Sequence, residues 1–484
     1  RGKCSRMKPY EKYIKKENVE KIHKISMDIL ENVGVKFEDE SILEVFKEHG
    51  ARIDGDIVYI DHKLFEAAMQ TVPSEFTIRS GKGDVHIGNG SKVFLPAGGN
   101  VYIQDGESIR SMTNEDNINQ FKLYDTSPVI SCGHVNIFLD EQNQTLDERI
   151  YGPVAFVLKY SNKPSIHTKI NTFPIREKDK VRESFQKGLK LVKRFEGLDE
   201  AYVKISSINP ISPLCYDHDP LEKIIGACEE NQPLWIISAA MPILSGPTSV
   251  ASIMAMTNAE ILAGIVLTQL LKPGIPVVYG NTSTSTDMRT LQMSLGSPET
   301  ALMIYATAAL ADYYHLPFRT GGLLSDAKEL DVQAGSESTM LGMATLDCNP
   351  DMVLHAIGVL GSFNLVSFEK ILVDEEIIML INRMLKGIDC SDEKLCYEMI
   401  KKIGPRGSCL NGRTPKMFKE EFTMSKYFNK VDANQWQNNG SKSVLEATHE
   451  DVLKRIESYR MPQITKEQDD LIRQYLPAQY RDRI

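Results

Sequence analysis

No two cysteines in this 484-residue chain stand at CxxC spacing, and the eight present (Cys4, Cys132, Cys215, Cys228, Cys348, Cys390, Cys396, Cys409) are scattered. That excludes a zinc knuckle and a disulfide framework, and predicts reduced thiols in a cytoplasmic protein. A basic excess is missing too: 56 Lys and Arg against 65 Asp and Glu leave a net charge of −9. Nothing therefore points to nucleic acid or to an anionic membrane. The apolar stretch AEILAGIVLTQLL (259–271) has the length of a buried helix and is too short to span a bilayer. A signal peptide, a GxSxG elbow, an HExxH pair and a Walker sequence are all absent. The opening RGKCSR before Met7 reads as a cloning remnant, so residues 1–7 are set aside.

What is present is a period. Short apolar, β-branched runs recur at 92–98, 129–138, 165–171, 202–209, 233–240, 275–281, 316–322 and 352–360, with helix-like stretches between them. Near-continuous apolar strands alternating with helices indicate a parallel sheet covered on both faces. Eight such units predict an α/β fold, a (β/α)8 TIM barrel over 92–384. A doubly wound open sheet is the lesser reading, since no GxGxxG follows the first run. Residues 8–91 read as an N-terminal α+β extension, and 385–484 as a helical C-terminal extension packed on the barrel.

Barrel chemistry gathers in the loops after the strands. The first run ends Gly98-Gly99-Asn100 and soon reaches Tyr102; the second carries His134 and Asn136, and the third His167, Lys169 and Asn171. The seventh opens FRTGGLLSDAKELDVQAGSES (318–338), and the eighth holds His355 and Gly358. In the seventh, a strand breaks at Gly321-Gly322 and places Leu323 and Leu324 bare where a polar loop should begin; a helix follows, with Glu329 and Asp331 in its first turns. Plain readings stand beside these. Glycine pairs most often make tight turns, a lone strand histidine is usually a satisfied core group, and Asp217-His218-Asp219-Pro220 reads as a helix start rather than a metal site. Aromatic, amide and imidazole groups without clustered acids suit a protein that mainly positions a reactant.

PAGGNVYIQD (96–105), MTNEDNINQFKLYD (112–125), TGGLLSDAKELDVQAGSES (320–338) and HAIGVLGSFNLVSFEKILVDEE (355–376) resemble segments of the trimethylamine:corrinoid methyltransferases and their non-pyrrolysine relatives. The likeness runs from about residue 15 to the C-terminus. It implies a TIM barrel that moves a methyl group from an amine to Co(I) of a separate corrinoid protein. The cobamide is then carried by that partner, and none is bound tightly here. It also implies a homo-oligomer.

The trimethylamine enzymes place pyrrolysine after the seventh strand, where this chain has Leu323 or Leu324. That departure implies the branch acting on quaternary amines such as glycine betaine, proline betaine, carnitine or γ-butyrobetaine. A quaternary ammonium already carries a neutral amine as leaving group, so the protein supplies orientation and a dry pocket, with no metal and no acid or base. Aromatic faces would hold the cation: Tyr102 foremost, then Phe173 and Phe363. His355 would hold a carboxylate, with His167 and Arg319 behind it because strand alternation turns Arg319 outward. Gly98, Gly99 and Asn100 would form the mouth at the first strand. Gly321 and Gly322 would keep the mouth open, the leucines filling the space of the missing pyrrolysine. Two other readings are a methyltransferase for another methylated compound, such as a sulfonium or methoxy group, and a catalytically silent betaine-binding barrel. Methoxy cleavage calls for zinc, and no Cys/His cluster is apparent.

Overall fold

The computed structural model describes residues 8–177, 179–410 and 415–484. Six of the eight runs form one parallel sheet: β1 (Val93–Phe94), β2 (Ser206–Ile208), β3 (Leu234–Ser238), β4 (Val277–Asn281), β5 (Phe318–Gly321) and β6 (Met352–Leu354). They pair in the spatial order β1-β6-β5-β4-β3-β2. The central strands are apolar on both faces because helices cover the outside. His218–Glu229, Val250–Leu271, Pro298–Tyr314 and Val332–Asp347 make the successive crossovers.

The runs at 129–138 and 165–171 form no ladder. Single backbone bonds tie them to their neighbours, from Ser131 N to Phe94 O (2.8 Å), Gly133 N to Pro164 O (3.0 Å) and Ile205 N to Ile166 O (2.8 Å). Pro128 and Pro164 have no N–H to give, which limits strand pairing there. A second difference concerns 259–271, which belongs to the 22-residue helix Val250–Leu271. That helix is long and apolar enough to cross a membrane by composition alone, but 83% of its apolar window is buried inside the protein.

One end of the sheet is plugged. The hairpin Phe76–Ile78/Val85–Ile87 drives Phe76, Ile78, Val85 and Ile87 into a cluster with Val93, Leu95, Cys132, Ile166, Ile205, Trp235, Ile237, Val278 and Met352. Every run but the seventh contributes a side chain to it. The rest of the N-terminal extension wraps the outside, and its strand Val35–Phe37 pairs with Cys215–Tyr216. The helices Val444–Ser458 and Lys466–Arg473 also pack on the outer layer, against Phe368–Leu385 and Asp179–Glu196. Arg455 there makes a two-pronged bond to Glu375 (2.7 and 3.0 Å), and Ile472 and Leu476 are fully buried.

Candidate active site

Above the plug, at the C-terminal ends of the strands, lies a cavity of about 900 Å³. Gly98, Gly99, Asn100, His134, His167, Lys169, Trp235, Arg319, His355 and Phe363 are among the residues that line it. The first two loops are joined by buried amides. Gly99 N donates to Asn136 Oδ1 (2.8 Å), Asn136 Nδ2 to Gln120 Oε1 (3.0 Å) and Gln120 Nε2 to Asn100 Oδ1 (3.1 Å). Asn100 Nδ2 then donates to Phe363 O (2.7 Å), so the first loop also holds the eighth. A Cβ on Gly98 would stand 2.3 Å from His134 Nε2, so only glycine admits that imidazole without a shift.

His355 sits in the left-handed region, φ 53°. Its ring lies 4.7 Å from that of Phe363, and its Nδ1 accepts from Gly98 N at 3.4 Å. That bond leaves the ring proton on Nε2. The His134 and His167 rings stack at 5.1 Å. Burial and nearby cations lower all three imidazoles, His134 and His355 to about 3 and His167 well below its ordinary value. At neutral pH they are uncharged.

Among the described residues the cations have no counterion. Arg319 is 1% exposed, no hydrogen bond reaches its Nε or Nη1, and its guanidinium lies 5.9 Å from the Trp235 ring. Burial lowers it to about 9. Guanidinium is effectively never deprotonated in proteins, so it remains a costly buried charge. Burial and Lys223 lower the Lys169 amine. Glu141, also in the lining, is engaged by Arg149 (2.5 Å).

The structure brings together His355, His167, Arg319, Phe363 and the Gly98–Asn100 mouth. Arg319 points inward, against the expectation from alternation: it replaces an apolar side chain in the inner layer, where the other runs place theirs. Tyr102 and Phe173 stand apart. Tyr102 lies on the strand Tyr102–Asp105, 45% exposed, and Phe173 is 78% exposed beside Arg176. The leucines are not bare: Leu323 is 0% and Leu324 4% exposed. Leu324 lines a small recess beside Arg319, His355 and Phe363, while Leu323 packs under Gly342. Nor do the glycines merely hold the mouth open. A Cβ on Gly322 would fall 2.4 Å from Ala356 Cα, and Leu323 N bonds Ala356 O at 3.0 Å. The pair lets two strand ends close together.

The helix after this turn starts at Val332, later than Glu329, with Asp331 as its cap (Ala334 N to Oδ1, 2.9 Å). Sequence reasoning missed Trp235 and the amides of Gln120 and Asn136 as a set. A polar residue on the buried face of Asn114–Asp125 was the available signal for Gln120. Away from the cavity, Asp39, His218 and Glu222 bring ligand atoms within 4.8 Å of one another. Arg182 grips both Glu222 oxygens (2.9 Å each), and Asp39 caps the helix Glu40–Glu48, which commits both acids elsewhere.

A family model described as trimethylamine methyltransferase (MTTB) matches residues 3–482. The chain is 38% identical to the proline betaine:corrinoid methyltransferase of Eubacterium limosum, over 97% of this chain and 98% of that one. It is 34% identical to the L-carnitine:corrinoid methyltransferase of the same organism, again over 97% and 98%. The crystal structure of the hydroxylamine MtmB complex is similar over 92% of this chain and 94% of that one, with a TM-score of 0.50. Its 10% identity makes this a likeness of fold. On these matches the chain belongs to the trimethylamine methyltransferase (MTTB) family.

Proposed function

We propose that this protein is a quaternary-amine:corrinoid methyltransferase whose eight runs close as a (β/α)8 barrel around the cavity. The relatives' substrates carry the reading to betaine-type amines. The observation that bears most weight in the cavity is Arg319, a buried cation without a counterion among the described residues. A zwitterion satisfies it with a carboxylate, which relieves the cost of an unpaired buried charge.

The carboxylate on Arg319 leaves the quaternary nitrogen to the cavity's ring faces, with Phe363 and Trp235 the candidates among them. Tyr102 and Phe173 have no part in this pose. The partner's corrinoid supplies a nucleophilic cobalt; the cavity opens to it past Val101, Ile137 and Leu139, exposed members of the lining. This chain's residues anchor, orient and exclude water. Uncharged His355 and His134 add no positive charge near the ammonium, and no proton has to move because the leaving group is a neutral tertiary amine. Leu324, at the recess beside Arg319, is the leucine facing the reacting space.

Purified enzyme, a corrinoid protein reduced to Co(I) and a panel of methylated amines test this reading. Methylation, followed by corrinoid absorbance, is expected with betaines and not with trimethylamine. Turnover of trimethylamine, or of no quaternary amine at all, sinks it.

A further inference from the structure

Large apolar side chains stand in water at the tips of three successive loops. Ile211 follows β2 and is 51% exposed, Ile243 and Leu244 follow β3 at 53% and 48%, and Met288 and Leu291 follow β4 at 53% and 51%. These loops are held, not slack. Ile211 and Cys215 exchange backbone bonds (2.7 and 3.1 Å), and Ile243 N bonds Gly246 O (2.9 Å). The hairpin Ser285–Asp287/Gln292–Ser294 carries the third pair, and Thr286 Oγ1 donates to Pro242 O (3.1 Å), joining the last two loops. Asp326 fastens the hairpin's foot by accepting from Leu295 N (3.0 Å) and Gly296 N (2.9 Å).

Two of the five side chains are also displayed on uncommon backbone. Ile243 has φ 72° and Leu291 φ 56°, a region that branched and bulky residues rarely adopt. Strain of this kind clusters at functional surfaces, and large apolar side chains left exposed together on successive loops point to an interaction site.

We infer that this arc seats the corrinoid-carrying partner, an inference that rests on the methyltransferase reading above. The far end of the barrel is plugged by the hairpin Phe76–Ile78/Val85–Ile87, so a protein-borne cobalt comes to the cavity from the loop side. The arc is electrically quiet as well, because Asp287 and Arg289 at the hairpin tip neutralise each other (2.5 and 3.0 Å). The partner's matching face is therefore apolar, and the association depends little on salt.

The test is the double variant Leu244→Glu/Met288→Glu, whose two sites are both exposed, so that the fold is expected to survive. A purified corrinoid protein is titrated onto the enzyme, and methyl transfer is measured to that protein and to free cob(I)alamin. Affinity and kcat/KM for the corrinoid protein should fall at least about tenfold, the loss expected when an interface hot spot is charged. The rate with free cob(I)alamin and the thermal midpoint should hold. Equal loss with both acceptors, no loss with either, or no binding by the unaltered enzyme overturns the proposal. So does a changed oligomeric state of the variant alone, which would make the arc a self-interface. If the unaltered enzyme methylates neither acceptor but the variant alone loses corrinoid-protein binding, the functional reading fails and the seat stands.

Discussion

Arg319 decides more than any other single residue. It is buried, unsatisfied and placed where the neighbouring runs put apolar side chains. Its conflict with stability makes a two-sided prediction. Arg319→Met should raise the thermal midpoint of the ligand-free protein, because a buried unpaired charge is removed. It should also weaken betaine binding by about 1.5–3 kcal/mol, roughly 10- to 150-fold, the worth of a charge-assisted hydrogen bond. Calorimetry and ligand titration on the same preparation read both. Tyr102→Ala, by contrast, should change kcat/KM less than about twofold, since exposed substitutions away from a site are nearly neutral. A tenfold loss would return Tyr102 to the site. The histidines make the third residue-scale prediction. His134 and His355 are lowered to about 3 from an ordinary 6.5, so the unfolded chain binds more protons between those values. Their contribution to stability is complete above pH 6.5 and is lost as pH falls toward 3. His355→Asn should flatten the fall of thermal midpoint with acid, measured from pH 7 to 4.

At the scale of elements, the turn after β5 repays the closest reading. Gly322 touches the Ala356 backbone, and Asp326 ties the sixth, seventh and eighth loops by accepting from Leu295 N, Gly296 N and Ser362 Oγ (2.5 Å). Glu337 in turn accepts from Ser325 Oγ (2.7 Å) and Asp326 N (2.8 Å). The polar residues after the leucines are therefore fasteners that fix where Leu324 and Arg319 sit. Gly322→Ala should cost about 1–3 kcal/mol, the usual penalty for overpacking against atoms that cannot retreat. Urea denaturation checks it, and an unchanged midpoint would show that β5 and β6 can part. The glycine pair was legible in the sequence as a break. Its reason was not, because the clashing atom belongs to a residue 34 positions later.

For the whole molecule, the plug is the feature on which the parallel sheet's two ends differ. Phe76→Ala removes an aromatic side chain from the cluster under the cavity, and should cost about 3–5 kcal/mol by equilibrium denaturation. A smaller loss, under about 1 kcal/mol, would mean the hairpin covers that end of the sheet without sealing it. The apolar period along the chain by itself determined that strands alternate with helices and that the strands are covered on both faces, since local hydrophobicity repeats with the element that buries it. The motifs around 96–125 and 318–376 determined the family. What the tertiary structure decided was orientation. Two proline-edged runs are tied by single backbone bonds rather than ladders, Arg319 turns inward, and Tyr102 and Phe173 turn away. One leucine of the pair faces the recess and the other the helix layer. Those outcomes depend on contacts between residues tens to hundreds of positions apart, and no local pattern of side chains encodes which of two faces a strand end will present once its neighbours have closed around it.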